Sequence, residues 1–86
     1  MRLEFREQAF EDLQYWVQLN PKVAKRLLRL IEETKRDPFR GAGKPEPLKG
    51  ELSGWWSKRI DQEHRLIYRV EGDSLIVAQA RGHYDD

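Results

Sequence analysis

Polar and apolar residues alternate over Arg2–Phe5, RLEF, which predicts a short strand. The period then changes. Phe10, Leu13 and Val17 recur at helical spacing with Ala9 and Trp16 beside them, so an amphipathic helix is expected over about Glu7–Leu19. Asn20 followed by Pro21 is an N-cap with a proline at the first helical position. A second helix therefore runs from there to about Arg36, with Val23, Leu27, Leu30, Ile31 and Thr34 as its buried stripe, and Asp37-Pro38 stops it. The next stretch, RDPFRGAGKPEPLKG, has no period and reads as a long loop, of a kind that is usually functional or disordered. Strands are then predicted over Trp55–Ile60, His64–Val70 and Ser74–Arg81, separated by the short turns Asp61-Gln62-Glu63 and Glu71-Gly72-Asp73.

The element order is β-α-α-β-β-β. This is an α+β arrangement in which two helices pack on one face of an antiparallel sheet, since turns this short join antiparallel neighbours. The whole chain, 1–86, forms one domain, because 86 residues leave no room for a second core. Strand parity assigns the faces. Leu66, Tyr68 and Val70, then Ile76, Ala78 and Ala80, with Trp56 and Ile60, are expected to face the helices. The opposite face collects Ser57, Arg59, Arg65, Ile67, Arg69, Val77, Gln79, Arg81 and, if the last strand extends, His83.

Composition narrows the function less than this face does. Hydrophobic residues make up 38% and charged residues 36% of the chain, enough apolar material for a small core and too much for disorder. There is no Cys and only two His, so neither disulfides nor a structural zinc site is expected. No apolar run approaches the roughly 20 residues of a membrane span, and MRLEFREQ is unlike a signal peptide, which together predict a cytoplasmic protein with no membrane partner. Net charge is only +1, but ten of the sixteen basic residues are Arg, the side chain that grips phosphate bidentately.

Against that cationic face stands Glu46, in GKPEPLKG, between Pro45 and Pro47 and flanked by Lys44 and Lys49. Preceding a proline, Glu46 is biased to extended backbone on a stiff mount. A carboxylate, an Arg-rich face and a His at a strand end are the parts of acid–base RNA cleavage: a base takes the 2′-OH proton, cations stabilise the phosphorane, and an acid protonates the leaving 5′-oxygen. The same residues also fit a plain surface, with each Arg paired to a carboxylate on the next strand and Glu46 to Lys44 or Lys49. His64, beside a turn on the apolar parity, reads as structural. Of Trp55 and Trp56, one faces the core, and the other stacks on a base or packs against a partner subunit.

The stretch DPFRGAGKPEPLKGELSGWWSKRIDQEHRLIYRV, with the terminal His-Tyr, closely resembles the YoeB/Txe family of bacterial toxins within the RelE-like superfamily, and the resemblance extends over essentially the whole chain. It implies a RelE-like fold and a ribosome-dependent messenger-RNA endonuclease. The enzyme would cut the A-site codon and leave 2′,3′-cyclic phosphate and 5′-hydroxyl ends, with no metal or cofactor. By the same resemblance Glu46 looks like the general base, His83 the general acid and Arg65 the transition-state cation. Lys49 and Arg59 look like phosphate-positioning residues, and Tyr84 would orient RNA beside His83. The resemblance also implies a homodimer, a YefM-like antitoxin, and contact with operator DNA only through that antitoxin. Asp85 and Asp86 extend past the His-Tyr end and would repel phosphate, and Gly82 would loosen the acid's position. A non-catalytic RNA- or ribosome-binding protein is the rival reading, but a pure binder needs no carboxylate facing phosphate.

Overall fold

A computed structural model of the chain describes residues 1–82. Its elements are β1 (Arg2–Phe5), α1 (Glu7–Leu19), α2 (Pro21–Arg36), β2 (Glu46–Pro47), β3 (Trp56–Arg59), β4 (Arg65–Glu71) and β5 (Ser74–Gln79), with a single 3₁₀ turn at Gly50–Leu52. The α+β architecture expected from the pattern is present: both helices lie against one face of a five-stranded sheet ordered β1-β5-β4-β3-β2. Two details differ from the expectation. β1 runs parallel to β5, so the sheet is mixed, whereas the other three pairs are antiparallel. The stretch between α2 and β3 also contributes an edge strand, β2, which holds Glu46.

The helix-side core is built from Trp16 of α1, Leu27, Leu30 and Ile31 of α2, and Leu66, Tyr68, Leu75 and Val77 of the sheet. α2 buries the predicted stripe, from Val23 to Thr34, and the Asn20 side chain accepts from the Val23 N–H at 3.4 Å. α1 departs from its pattern. Its buried residues are Ala9, Asp12 and Trp16, with Leu13 partly covered, while Phe10 and Val17 are exposed. The helix is rotated so that small Ala9 and hydrogen-bonded Asp12 meet the sheet.

β5 departs as well. Leu75 and Val77 face the helices, not Ile76 and Ala78. A register shift between Ile67 and Tyr68 opposes them to Gln79 and Val77, so Ala78 is the extra residue of a β-bulge and the parity slips there. Past the bulge Ala80 is again on the helix side.

The loop after α2 is fastened at its start. Lys58 is fully buried; its Nζ donates to the Asp37 carbonyl at 3.4 Å. The Tyr68 hydroxyl donates to the Pro38 carbonyl. Burial lowers the Lys58 pKa, opposed by the charges of Glu33 and Asp37, and burial together with Asp37 pushes the Tyr68 phenol well above its ordinary value. The signs give opposite pH dependences. Below its ordinary 10.5, Lys58 sheds its proton more readily folded than unfolded, so stability gains as pH rises towards that value. Above pH 10 unfolded tyrosine ionises while folded Tyr68 does not, so stability is lost. Tyr68→Phe should flatten the loss above pH 10 in alkaline melting curves. At neutral pH it should cost about 1 kcal/mol for the orphaned Pro38 carbonyl. Equal alkaline slopes in the two proteins would remove Tyr68 from this role.

Candidate functional site

Glu46 reaches the sheet through backbone geometry. Gly43, at φ +87°, and Lys44, at φ +50°, turn the chain, and Pro45 and Pro47 bracket the carboxylate. The Arg59 N–H donates to the Gly43 carbonyl at 2.6 Å, and the Leu48 N–H to the Trp55 carbonyl at 2.9 Å, so the segment is stitched to β3 at both ends. Glu46 then pairs with Ser57, which pairs with Ile67. Cross-strand partners share a face, so Glu46, Ser57 and Ile67 form one row on the face away from the helices. The next row on that face holds Arg59 opposite Arg65. By ordinary sheet spacings Glu46 and Arg65 are about 12 Å apart at the backbone, two strands across and one row along.

Arg59 and Arg65 are like charges placed directly across from each other, an arrangement that destabilises a sheet unless an anion joins them. Neither is ion-paired among the described residues, nor are Glu46 and Lys49. Glu46, Lys49 and Arg59 are exposed, and Arg65 is half-buried. Lys49 stands at the entrance of the 3₁₀ turn, three residues beyond Glu46.

The other two arginines predicted on this face are engaged elsewhere. Arg69 forms an ion pair with Glu71 at 2.8 Å and lies over the Trp55 ring, 4.5 Å from its centre. Arg81 follows the end of β5 and packs over Tyr15 of α1, its guanidinium carbon 3.9 Å from the ring centre. Trp56 joins the core and meets Phe39, while Trp55 on the opposite face carries both Arg69 and Arg6. Leu48, Ile67 and Ile76 are buried but lie outside the helix-side core, so this face has a small apolar floor of its own.

His83 and Tyr84, the predicted acid and its neighbour, and the acidic pair Asp85 and Asp86, fall outside the described residues. The residue before them does not. Gly82 sits at φ +100°, and the Arg65 N–H donates to its carbonyl at 2.9 Å. Gly82 itself is held beside Arg65, while the predicted loosening of His83 concerns a position outside the described residues. Sequence reasoning missed Gly43 and Lys58, which hold the loop; the Gly-x-Gly-Lys-Pro spacing was the signal for the first, and the strand parity shared with Trp56 and Ile60 was the signal for the second.

A family model for the YoeB-like toxin of bacterial type II toxin–antitoxin systems matches residues 5–84. The chain belongs to the YoeB toxin family. Toxin YoeB of Streptomyces coelicolor is 54% identical over 84 residues, 98% of this chain and 100% of the relative. Among solved structures, the YoeB/ParE toxin of Agrobacterium tumefaciens superposes with a TM-score of 0.94 at 43% identity, covering 98% of this YoeB-family chain and 100% of its own. YoeB of Staphylococcus aureus, solved in complex with YefM, gives 0.88 at 40% identity, and its dimer 0.90 at 39%, each covering 98% of both chains. This YoeB-family protein is therefore the toxin of a type II toxin–antitoxin pair. Among its described residues no helix is long and apolar enough to cross a membrane.

Proposed function

We propose that this toxin is a ribosome-dependent messenger-RNA endoribonuclease that cuts the A-site codon by acid–base chemistry. The observation that carries the reading is the pair of rows on the sheet's outer face: a carboxylate, Glu46, one row from two facing arginines without a carboxylate partner among the described residues. Two like charges held together without an internal counter-ion are a receptor for phosphate.

RNA would lie across this face with the scissile phosphate against Arg65. Glu46 takes the proton from the 2′-OH, which attacks the adjacent phosphorus; Arg65 neutralises the charge that grows on the phosphorane oxygens. His83 protonates the departing 5′-oxygen, leaving 2′,3′-cyclic phosphate and 5′-hydroxyl ends. The proton lost at the 2′-OH and the one gained at the 5′-oxygen balance, so the step consumes no water, metal or cofactor. Lys49 and Arg59 bind flanking phosphates, and Tyr84 orients the RNA. The likeness to YoeB–YefM and YoeB-dimer structures supports a YefM-like antitoxin and a homodimer; on this reading the pair represses its operon through the antitoxin, and the toxin acts in the cytoplasm where ribosomes are.

Induction of the chain in a bacterial host lacking the antitoxin should stop protein synthesis within minutes, and co-expression of the antitoxin should restore it. Sequencing of RNA ends should place the cuts in translated codons. Normal growth with confirmed folded protein, or cuts equally frequent in untranslated RNA, would refute the reading.

A further inference from the structure

A second row on the outer face takes no part in the cleavage chemistry. Trp55 comes two residues before Ser57, and Arg69 two residues after Ile67, so both share a face with the row of Glu46. The Arg69 guanidinium lies 4.5 Å from the centre of the indole. The Arg6 guanidinium, from the residue between β1 and α1, lies 5.1 Å from it. Ile76, the β5 partner of Arg69, is buried in the floor of this face. Arg69 is already committed: its Nη2 pairs with Glu71 at 2.8 Å, and its Nε is buried with no hydrogen-bond partner among the described residues. Arg6 is not. It is exposed, sits farther from the ring and has no ion-pair partner among the described residues.

Charge and shape together select a ligand. Glu71 is on Arg69, and Glu4, the β1 partner of Ile76, shares the face, so the cluster has little net charge to offer a phosphate. It offers instead an aromatic plane backed by a guanidinium. The ligand with a matching flat face is a nucleobase, which stacks on aromatic rings and on guanidinium planes. Arg6 is the removable cover. A cation–π contact at an exposed site is weak, so an incoming base can take its place while the guanidinium turns to that nucleotide's phosphate. Position then selects the nucleotide. Rows on one face are about 6.5–7 Å apart, which puts Trp55 and Arg69 about 13 Å from Arg59 and Arg65, with the row of Glu46 between them. The 2′-OH that Glu46 serves belongs to the nucleotide on the 5′ side of the scissile phosphate. Passing from Arg65 across the Glu46 row therefore leads along the RNA in the 5′ direction.

We propose that Trp55, backed by Arg69 and covered by Arg6, is a nucleobase subsite that takes a base on the 5′ side of the cut. The inference rests on the ribonuclease reading for the direction of the RNA, while the stacking surface stands on the geometry of the three side chains. It makes Trp55 a determinant of which messages are cut well, with a modest preference set by how strongly each base stacks.

The test pairs a missing ring with a missing base. Ribosome-bound messages, each carrying one abasic nucleotide near the cut, are cleaved in single turnover by the parent, Trp55→Leu and Trp55→Phe, with melting curves to check folding. In the parent, loss of one base on the 5′ side should raise the half-saturating ribosome concentration about 5–100-fold, the range for one stacked base. In Trp55→Leu that base should cease to matter, so that intact and abasic messages are cut alike at the weaker affinity. Trp55→Phe keeps a smaller ring and should retain part of the dependence. An undiminished abasic penalty in Trp55→Leu, or coupling confined to the 3′ side, overturns the proposal. So does a Trp55→Leu protein whose dimer weakens while its base dependence stays, which assigns the indole to a protein contact. A hexaadenylate with 2′-O-methyl groups separates the subsite from the reading beneath it, because it binds but has no 2′-OH to attack. It should quench the indole emission of the parent more than that of Trp55→Leu. A parent that cuts no message yet shows this difference sinks the ribonuclease reading and leaves the nucleobase site standing. No cleavage with equal quenching, or with none, overturns both.

Discussion

Replacing Arg65 by alanine should lower single-turnover cleavage of ribosome-bound message by about 10²–10³-fold, the usual loss when one preorganised donor to a developing oxyanion is removed. The fold should survive. Arg65 makes no side-chain hydrogen bond or ion pair among the described residues, and it faces its like-charged neighbour Arg59. Removing it relieves repulsion, so the melting temperature should hold steady or rise. Activity and stability thus move in opposite directions, a combination that misfolding cannot imitate. Lysine at this position should recover only part of the rate, because an ammonium cannot match the planar fork of a guanidinium on a phosphorane. His83→Ala should cost about 10²–10⁴-fold, as expected for a lost proton donor. Melting curves and single-turnover rates measured on the same preparations check all three. A parent-like rate in Arg65→Ala would remove it from the transition state.

The largest loss of stability should follow from a single methyl group at Gly43. A Cβ there would stand 2.9 Å from the Arg59 carbonyl oxygen, 3.0 Å from Lys58 Cβ and 3.1 Å from the Arg59 N, two of them backbone atoms that have little room to retreat. The residue also sits at φ +87°, where side chains other than hydrogen are strained. Gly43→Ala should cost about 2–3 kcal/mol, which lowers the melting temperature of a domain this size by roughly 10–20 °C. Gly72 provides the control. It is at φ +59°, and a Cβ there would meet no atom within 4 Å, so Gly72→Asn should lose about 0.5–1 kcal/mol at most. Because the Gly43 carbonyl accepts from Arg59, the damaged variant should also lose cleavage beyond what its folded fraction explains, as Glu46 swings away from Ser57. Equal melting temperatures for Gly43→Ala and Gly72→Asn would show that the loop is not seated on β3 as described.

The local periodicities were strong enough to read both helices to their ends, because Asn20-Pro21 and Asp37-Pro38 interrupt the chain by covalent geometry. Alternation placed Arg59 and Arg65 together, and the prolines placed Glu46 in extended backbone. What failed was whatever long-range pairing decides. Asp12 reads as a solvent-facing residue until Ala80, 68 positions away, supplies its N–H. Lys58 shares the helix-side parity of Trp56 and Ile60, but only the loop from Asp37 supplies the carbonyl that accepts from its buried ammonium. The bulge at Ala78 leaves no mark in the sequence, so the alternation across Ile76 and Ala78 pointed to the wrong face. The parallel partner of β1 was hidden for the same reason: no turn joins β1 to β5, and only the crowded sheet order assigns it.

That pairing has a consequence for biosynthesis. β5 lies between β1 and β4, and Arg2 finds its partner only at Ser74, 72 positions later. Contacts of such long sequence separation form late, after the loop-closure entropy has been met. A nascent chain carrying β1, both helices and β3 has no partner for its first strand and no anchor for Ala80–Gly82. Synthesis from the N-terminus therefore keeps the outer face unfinished while translation of the chain is under way. The sheet is therefore completed only once β5 has been made, a delay written into the order of its strands.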